Sequence, residues 1–596
     1  MTAAPSSCGA PDVCSGRLTG VRRVSLARLA PPAIFTLLAF ALYSRVWADP
    51  GHRLPGRNIR DAELDVWMLG WLEHCLTHGI DPFVTHTLNA PAGINLAWNT
   101  SLPLPGLVLA PVTALCGPTV AALLLLTLCP ALSATAGWWV LTRLGVHDVA
   151  AAAGGLLYGF SPALLSQALG HANLGLDVFP PLILFAALRL WQGAPPRRGG
   201  VLLGLACAGQ LLVGEEMLLI TVLMGIVLLL VLLPGHRAEA GGRWRPVLVG
   251  SAIGAATALV LCAWPLLDQF YGPQQLKGQI YPEQLYSADV DGLLTTTPLQ
   301  LIHPHGDVAQ LARFTDDISE PTGFIGLPLL LLAVGTLVVL RKDLRIRTAL
   351  VMATVATVFT WGDVVHVGGK ATPAHGVWNL LSGYPLLENV LPSRMAVFSA
   401  LFLGAAFAFA LDRAYASGRP WSVAAPVCAV IALVPLIPSL TTPASVTTPA
   451  FFTDGAAARL AHGHGLLVLP YPSPGVTEPM VWQAEAGMSF TMPGGYFLGP
   501  DPSNGKPYVG GYQRPSSSWF TDVTLHLTAA TPDDAHRTQL ATDLAAWDTT
   551  AIVLGPCPEH DLLHDLVTQI VGRGPTEQDG VEVWAGITPR SAFAQT

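Results

Sequence analysis

Charge is what this sequence has least of. Only 12% of its 596 residues are Asp, Glu, Lys or Arg, while 51% are hydrophobic; a soluble globular chain carries roughly 25% charge. With 31 basic against 39 acidic residues the formal net charge is −8, which argues against a nucleic-acid binder, and just four of the basic residues are lysines (Lys277, Lys342, Lys370 and Lys506). That scarcity, beside heavy use of Ala, Arg and Pro, fits a GC-rich bacterial source. Cysteine is sparse too. Of nine, several sit singly inside apolar runs (Cys116, Cys129, Cys207, Cys262, Cys428), with no Cys-x-x-Cys pair and no histidine at zinc spacing, so neither a disulfide framework nor a structural zinc site is expected. No P-loop and no Gly-x-Gly-x-x-Gly follows a strand, which removes the usual nucleotide cradles. The absence of an internal repeat argues against the inverted-repeat carriers.

Long apolar runs are what the chain has instead. Crossing a hydrocarbon core of about 30 Å takes about 20 apolar residues, and basic loops stay cytoplasmic. These rules predict a polytopic α-helical membrane protein of about 11 spans. Residues 1–29 form a basic cytoplasmic N-terminus with Arg17, Arg22, Arg23 and Arg28. The run that follows is too long for a signal h-region and has no small-residue cleavage site, so it is read as an uncleaved anchor. Residues 30–440 are the multi-span domain, with an outer loop at 48–100, an interfacial helix at 102–116 and a second outer loop at 268–322. Counting 102–116 as a span would put Arg143, Arg197 and Arg198 outside, against the positive-inside bias. Single spans are expected at 149–167 and 247–267, among others. Residues 441–596 read as an extracytoplasmic α/β domain, with strand-like runs near 465–470, 551–554 and 580–584 and a helix at 533–547. That domain has six basic against fifteen acidic residues, net −9, which leaves the rest at +1.

The first outer loop opens with Arg60-Asp61-Ala62-Glu63-Leu64-Asp65-Val66-Trp67 and runs through Trp71, Glu73 and His74. On a helix, Asp61 and Asp65 share one face, as do Trp67, Trp71 and His74. Like charges that close repel unless a cation or proton lies between them. The plain reading is an amphipathic helix anchored at the interface by its tryptophans; the sharper one makes a carboxylate a general base. No cofactor follows from the sequence, although a divalent cation is compatible with the acidic helix, and His303-Pro304-His305 is too little to define a metal site.

In these segments the chain resembles the GT-C superfamily of membrane glycosyltransferases. The resemblance is strongest to a group of actinobacterial multi-pass proteins, and it is carried by 61–71, Leu88-Asn89-Ala90-Pro91-Ala92-Gly93-Ile94-Asn95-Leu96, Tyr158-Gly159-Phe160-Ser161-Pro162 and Leu391-Pro392-Ser393-Arg394. It implies that a first-loop acid is the catalytic base and that the donor is a sugar on a polyprenyl phosphate. The acceptor is then a glycan or glycolipid of the cell envelope. Superfamily members often carry an acidic pair where this chain has Asp61-Ala62-Glu63, so Asp61, Glu63 and Asp65 all stay in play.

Arg394, a lone basic residue at the outer end of a span, is the leading candidate for the donor phosphate, with Lys277 and Arg313 in the second outer loop behind it. That loop also holds Asp316, Asp317 and Glu320. Glu215 and Glu216 follow a short apolar run and fall below the outer interface, where acids are costly unless they line a wet cavity. His171 and Asp177 lie at another outer hairpin, as a possible second acid. Tyr496 and Tyr512, each after a Gly-Gly pair, join Trp67 and Trp71 as surfaces for stacking on an acceptor or sugar, and Trp482 and Trp519 lie in the same stretch; aromatic plugs in a core are the commoner outcome. Two other classes fit the same features. A lipid or glycan carrier would use Glu215 and Glu216 along its path, and a non-catalytic assembly protein would act through its tail.

Overall fold

The computed structural model describes residues 26–280, 287–314, 323–418, 420–526 and 531–587. Arg17, Arg22, Arg23, Asp316, Asp317 and Glu320 lie outside them. The chain is a helical membrane protein. Among the described residues, five helical segments are long and apolar enough to cross a bilayer: Pro118–Arg143, Ala172–Trp191 (broken between Gly175 and Phe179), Glu215–Leu232, Trp244–Leu261 and Pro392–Ala416. Four shorter apolar helices accompany them, at Ala30–Leu42, Pro103–Cys116, Leu327–Val339 and Trp421–Leu436. Two stretches expected as single spans are interrupted. At 149–167 the helix stops at Gly159 and restarts at Pro162, with the Ser161 hydroxyl capping the new turn, because proline disfavours helical geometry in the residue before it. The 247–267 stretch ends its first helix at Leu261 and resumes from Ala263 to Tyr271.

The elements that build the polar end are α1 (Ala30–Leu42), α2 (Ile59–His78), α3 (Pro103–Cys116) and α4 (Pro118–Arg143). α2 ends on Gly79, whose positive φ of 68° lets its N–H close on the Cys75 carbonyl. It packs against α3, α4 and a tail helix, α5 (Glu478–Glu485).

The tail carries a four-stranded mixed sheet of β1 (Gly465–Leu469), β2 (Thr549–Leu554), β3 (Thr576–Gln578) and β4 (Val581–Ala585), in the order β3-β4-β2-β1. β1 and β2 are parallel and the other pairs antiparallel. Strand residues alternate between faces, and here both faces are buried. Leu467, Leu469, Ile552, Leu554 and Trp584 pack under the helices Pro515–His526, Asp534–Ala546 and His560–Val571. Leu466, Val468, Ala551, Val553, Val581 and Val583 join one core with Val66, Trp67, Leu69 and residues of α4. A further antiparallel pair ties Arg53–Pro55 to Pro443–Ser445. The tail sheet and the juxtamembrane helix therefore share a single hydrophobic core.

Candidate functional site

α2 brings the three acids of its first two turns, Asp61, Glu63 and Asp65, to different environments. Asp61, at the first turn, keeps 15% of its side chain exposed. Its Oδ1 accepts a 2.9 Å hydrogen bond from the Tyr496 hydroxyl, and its Oδ2 lies 3.3 Å from His171 Nε2. Asn58, just before the helix, contacts the other face of that imidazole, Nδ2 to Nδ1 at 3.2 Å. Glu63 is buried and accepts from the Thr477 hydroxyl; burial pushes its pKa up to about 8, against the opposing effect of that hydrogen bond. Asp65 is also buried, and its Oδ2 takes the Ala172 backbone N–H at 3.3 Å. Desolvation holds its pKa well above the ordinary carboxylate range, and the nearby Asp61 adds to the rise.

Close backbone approach makes this arrangement. A Cβ on Gly170 would fall 2.6 Å from the Asn58 carbonyl, so glycine there lets the 167–172 turn sit on the head of α2 and deliver His171 and Ala172. The next turn is docked in the same way, since a Cβ on Gly214 would lie 2.9 Å from the Asn173 carbonyl. That turn starts the Glu215–Leu232 helix, and its acids are already partnered. Glu215 accepts from Gln269 Nε2 at 2.8 Å, while Glu216 takes the Leu391 N–H at 2.9 Å and pairs with Arg394.

Several expected roles are corrected by this geometry. The anion that Arg394 faces is Glu216 of the same chain, so its charge is compensated internally. Lys277 is exposed and rests on Gly505 of the tail. Arg313 is exposed beside Gly369. Neither joins the Asp61 group. Trp67 and Trp71 are buried and stack on each other at 5.8 Å, with their indole N–H groups donated to Gln483 Oε1 and the Pro82 carbonyl; they belong to the core and have no face left for a sugar. Trp482 is a core residue as well. Asp177 is fully buried beneath the same turn, its N–H held by Ser133 and its carbonyl by Tyr158, and its carboxyl oxygens meet no donor among the described residues. Tyr496 touches Asp61, whereas Tyr512 is exposed. No three His, Cys, Asp or Glu side chains group as a metal site would require, among the described residues.

One residue went unnoticed in the sequence. Arg57, two residues before α2, is half-buried in a small cleft with Tyr43, Leu165, Leu169 and the 438–442 segment. It has no ion-pair partner among the described residues, and desolvation lowers its pKa. The available signal was its position, a basic residue immediately ahead of the acidic helix.

An acid at the head of a juxtamembrane helix, facing a polar turn from the helical bundle and a tyrosine from the tail, can be set beside solved structures. Arabinofuranosyltransferase AftD from mycobacteria superposes with a TM-score of 0.53 at 18% identity, covering 94% of this chain and 41% of that one. The Archaeoglobus fulgidus oligosaccharyltransferase gives 0.47 at 12% identity, over 93% and 72%. ArnT from Cupriavidus metallidurans gives 0.44 at 14%, over 94% and 98%. The chain has the GT-C glycosyltransferase fold, and it spans less than half the length of the arabinofuranosyltransferase. It belongs to the family described as a domain of unknown function, DUF6311, whose pattern matches residues 59–383 and so begins on the first residue of α2. No curated protein matches it.

Proposed function

We propose that this chain is a membrane glycosyltransferase that moves a sugar from a polyprenyl-phosphate donor to a glycan or glycolipid acceptor at the cell envelope. The observation that carries the reading is the state of Asp61. Of the three acids in the first two turns of α2 it alone keeps its carboxylate partly open, held by the Tyr496 hydroxyl and the His171 imidazole and paired with no Lys or Arg among the described residues. A base needs such a position, within about 2.6 to 3.2 Å of the oxygen whose proton it removes. Asp61 takes the proton of the acceptor hydroxyl as that oxygen bonds to the anomeric carbon. The bond from this carbon to the phosphate oxygen breaks, its electron pair stays on the phosphate, and the configuration inverts. Arg57, uncompensated and close to the head of α2, is the residue placed to meet the growing negative charge. A lipid-linked donor suits a chain with no nucleotide cradle. The likeness in fold to a protein named as an arabinofuranosyltransferase supports sugar transfer. In this reading the chain has about 11 spans, the N-terminus is cytoplasmic, and the site and tail lie outside.

The test is transfer from a panel of radiolabelled polyprenyl-phosphate sugars by purified wild type and Asp61→Asn in the same detergent. A loss of roughly 10²- to 10⁴-fold in the variant, with folding intact, is expected. Donor binding without transfer by either protein would overturn the reading in favour of a carrier.

A further inference from the structure

The Asp61 site does not use a groove of about 450 Å³ on the tail, within the range of small-ligand sites. Four separate segments build it: the 89–92 loop that follows α2, Gln274, and in the tail residues 497–514 and 546–547. Gln274 fastens the walls together, its Nε2 donating to the Ala92 carbonyl at 2.7 Å and to Gly93 at 2.8 Å. Phe497 and Trp547 are buried in its floor, whereas Tyr512 stands 64% exposed on the rim. An exposed aromatic ring above a hollow offers an apolar face to a partner with matching C–H surface.

Arg514 supplies the polar half. Its Nε donates to Asp543 Oδ1 at 2.7 Å. Asp543 is fully buried and also accepts from Ser516 N at 3.0 Å and Gln539 Nε2 at 3.1 Å. The guanidinium is thereby fixed in orientation, stays 34% exposed, and keeps its two terminal nitrogens without a partner among the described residues. Its charge is already balanced by Asp543. A fixed fork of donors with no net charge to offer suits hydroxyl oxygens better than a phosphate or carboxylate.

The groove also joins the proposed reaction site through one peptide unit. Tyr496 bonds Asp61 while the next residue, Phe497, lines the groove. The geometry points to a second saccharide subsite here, which holds the distal units of a neutral oligosaccharide acceptor by stacking on Tyr512 and hydrogen bonding to Arg514. This inference rests on the transfer reading above for the word acceptor, and its binding test is independent of it.

The experiment titrates the full chain in detergent with neutral manno-, galacto- and arabino-oligosaccharides, with uronic-acid oligomers as a charged control, following intrinsic tryptophan fluorescence because Trp547 lines the groove. Saturable binding of a neutral series is expected. Tyr512→Ala should weaken it about tenfold. The double variant Arg514→Gln/Asp543→Asn removes the fork without stranding a buried charge, and should weaken binding similarly. Preference for the charged oligomers, absence of any saturable neutral ligand, or binding indifferent to Tyr512→Ala would each overturn the subsite. Transfer that is lost in Asp61→Asn but has the same ratio of long to short acceptors in Tyr512→Ala would remove the subsite and leave the enzyme standing. Binding with no transfer would do the reverse.

Discussion

The head of α2 and the turn at Glu215 and Glu216 are neighbouring acidic corners, and they are held together in opposite ways. At the turn, Glu216 is met by Arg394 and a backbone N–H, which fixes the Leu391–Arg394 segment against the bundle, and Glu215 is met by the Gln269 amide of the Ala263–Tyr271 helix. At α2, Asp61 is met by a phenol and an imidazole and keeps an opening to solvent. An acid matched by a fixed guanidinium serves architecture, whereas one oriented by a phenol and an imidazole and left partly open stays available to a ligand or a proton.

Three changes would break or sharpen that contrast. Removing one member of the structural pair comes first. Arg394→Ala should destabilise the protein by about 3 kcal/mol, because Glu216 is left without its cation, and Arg394→Met with Glu216→Gln should recover most of the loss. Thermal unfolding in detergent measures both, and equal midpoints for the single and double variants would refute the architectural role.

Glu63 gives the next effect. It is protonated in both folded and unfolded states below about 4.5, holds its proton only in the folded state up to about 8, and is ionised in both states above that. Stability should therefore fall as pH rises through this window, by roughly 1.4 kcal/mol per unit. Glu63→Gln should flatten the slope, and an unchanged slope would show that the burial of Glu63 does not govern it. The smallest change is Tyr496→Phe. It removes one hydrogen bond to Asp61, worth about 1 kcal/mol, and should slow transfer about fivefold while lowering the unfolding midpoint by no more than about 2 °C. A loss as large as that of Asp61→Asn would mean that Tyr496 itself handles the proton.

The acidic helix was legible in the sequence because its register depends only on local spacing. Asp61 and Asp65 fall on one side, and both do meet the 171–172 turn. What was not legible is the choice among Asp61, Glu63 and Asp65. That choice depends on Thr477 and Tyr496 from the tail and on a turn brought close by Gly170, and no pattern in 59–78 encodes those partners. The tryptophan ladder misled for a related reason. Aromatic spacing suggests a membrane anchor or a sugar platform equally well until Gln483 and the tail core cover it. The pairing of Arg394 with Glu216 links positions 178 apart, beyond any local signal. The β1 strand, apolar at every position, lacks the alternation of a half-buried strand because α2 and α4 close the face that would otherwise meet water.

The shared core also sets a schedule. The tail partners of α2 lie far downstream: Thr477, Gln483 and Tyr496 follow Glu63, Trp67 and Asp61 by 414, 416 and 435 residues. At about 5–20 residues per second of synthesis, α2 waits roughly 20–90 s between leaving the ribosome and meeting them. During that interval Glu63 and Trp67 lack the partners that satisfy them, and Asp61 has no tyrosine. The proposed base thus comes into position only after residue 496 has been made, and shorter nascent chains carry an incomplete site.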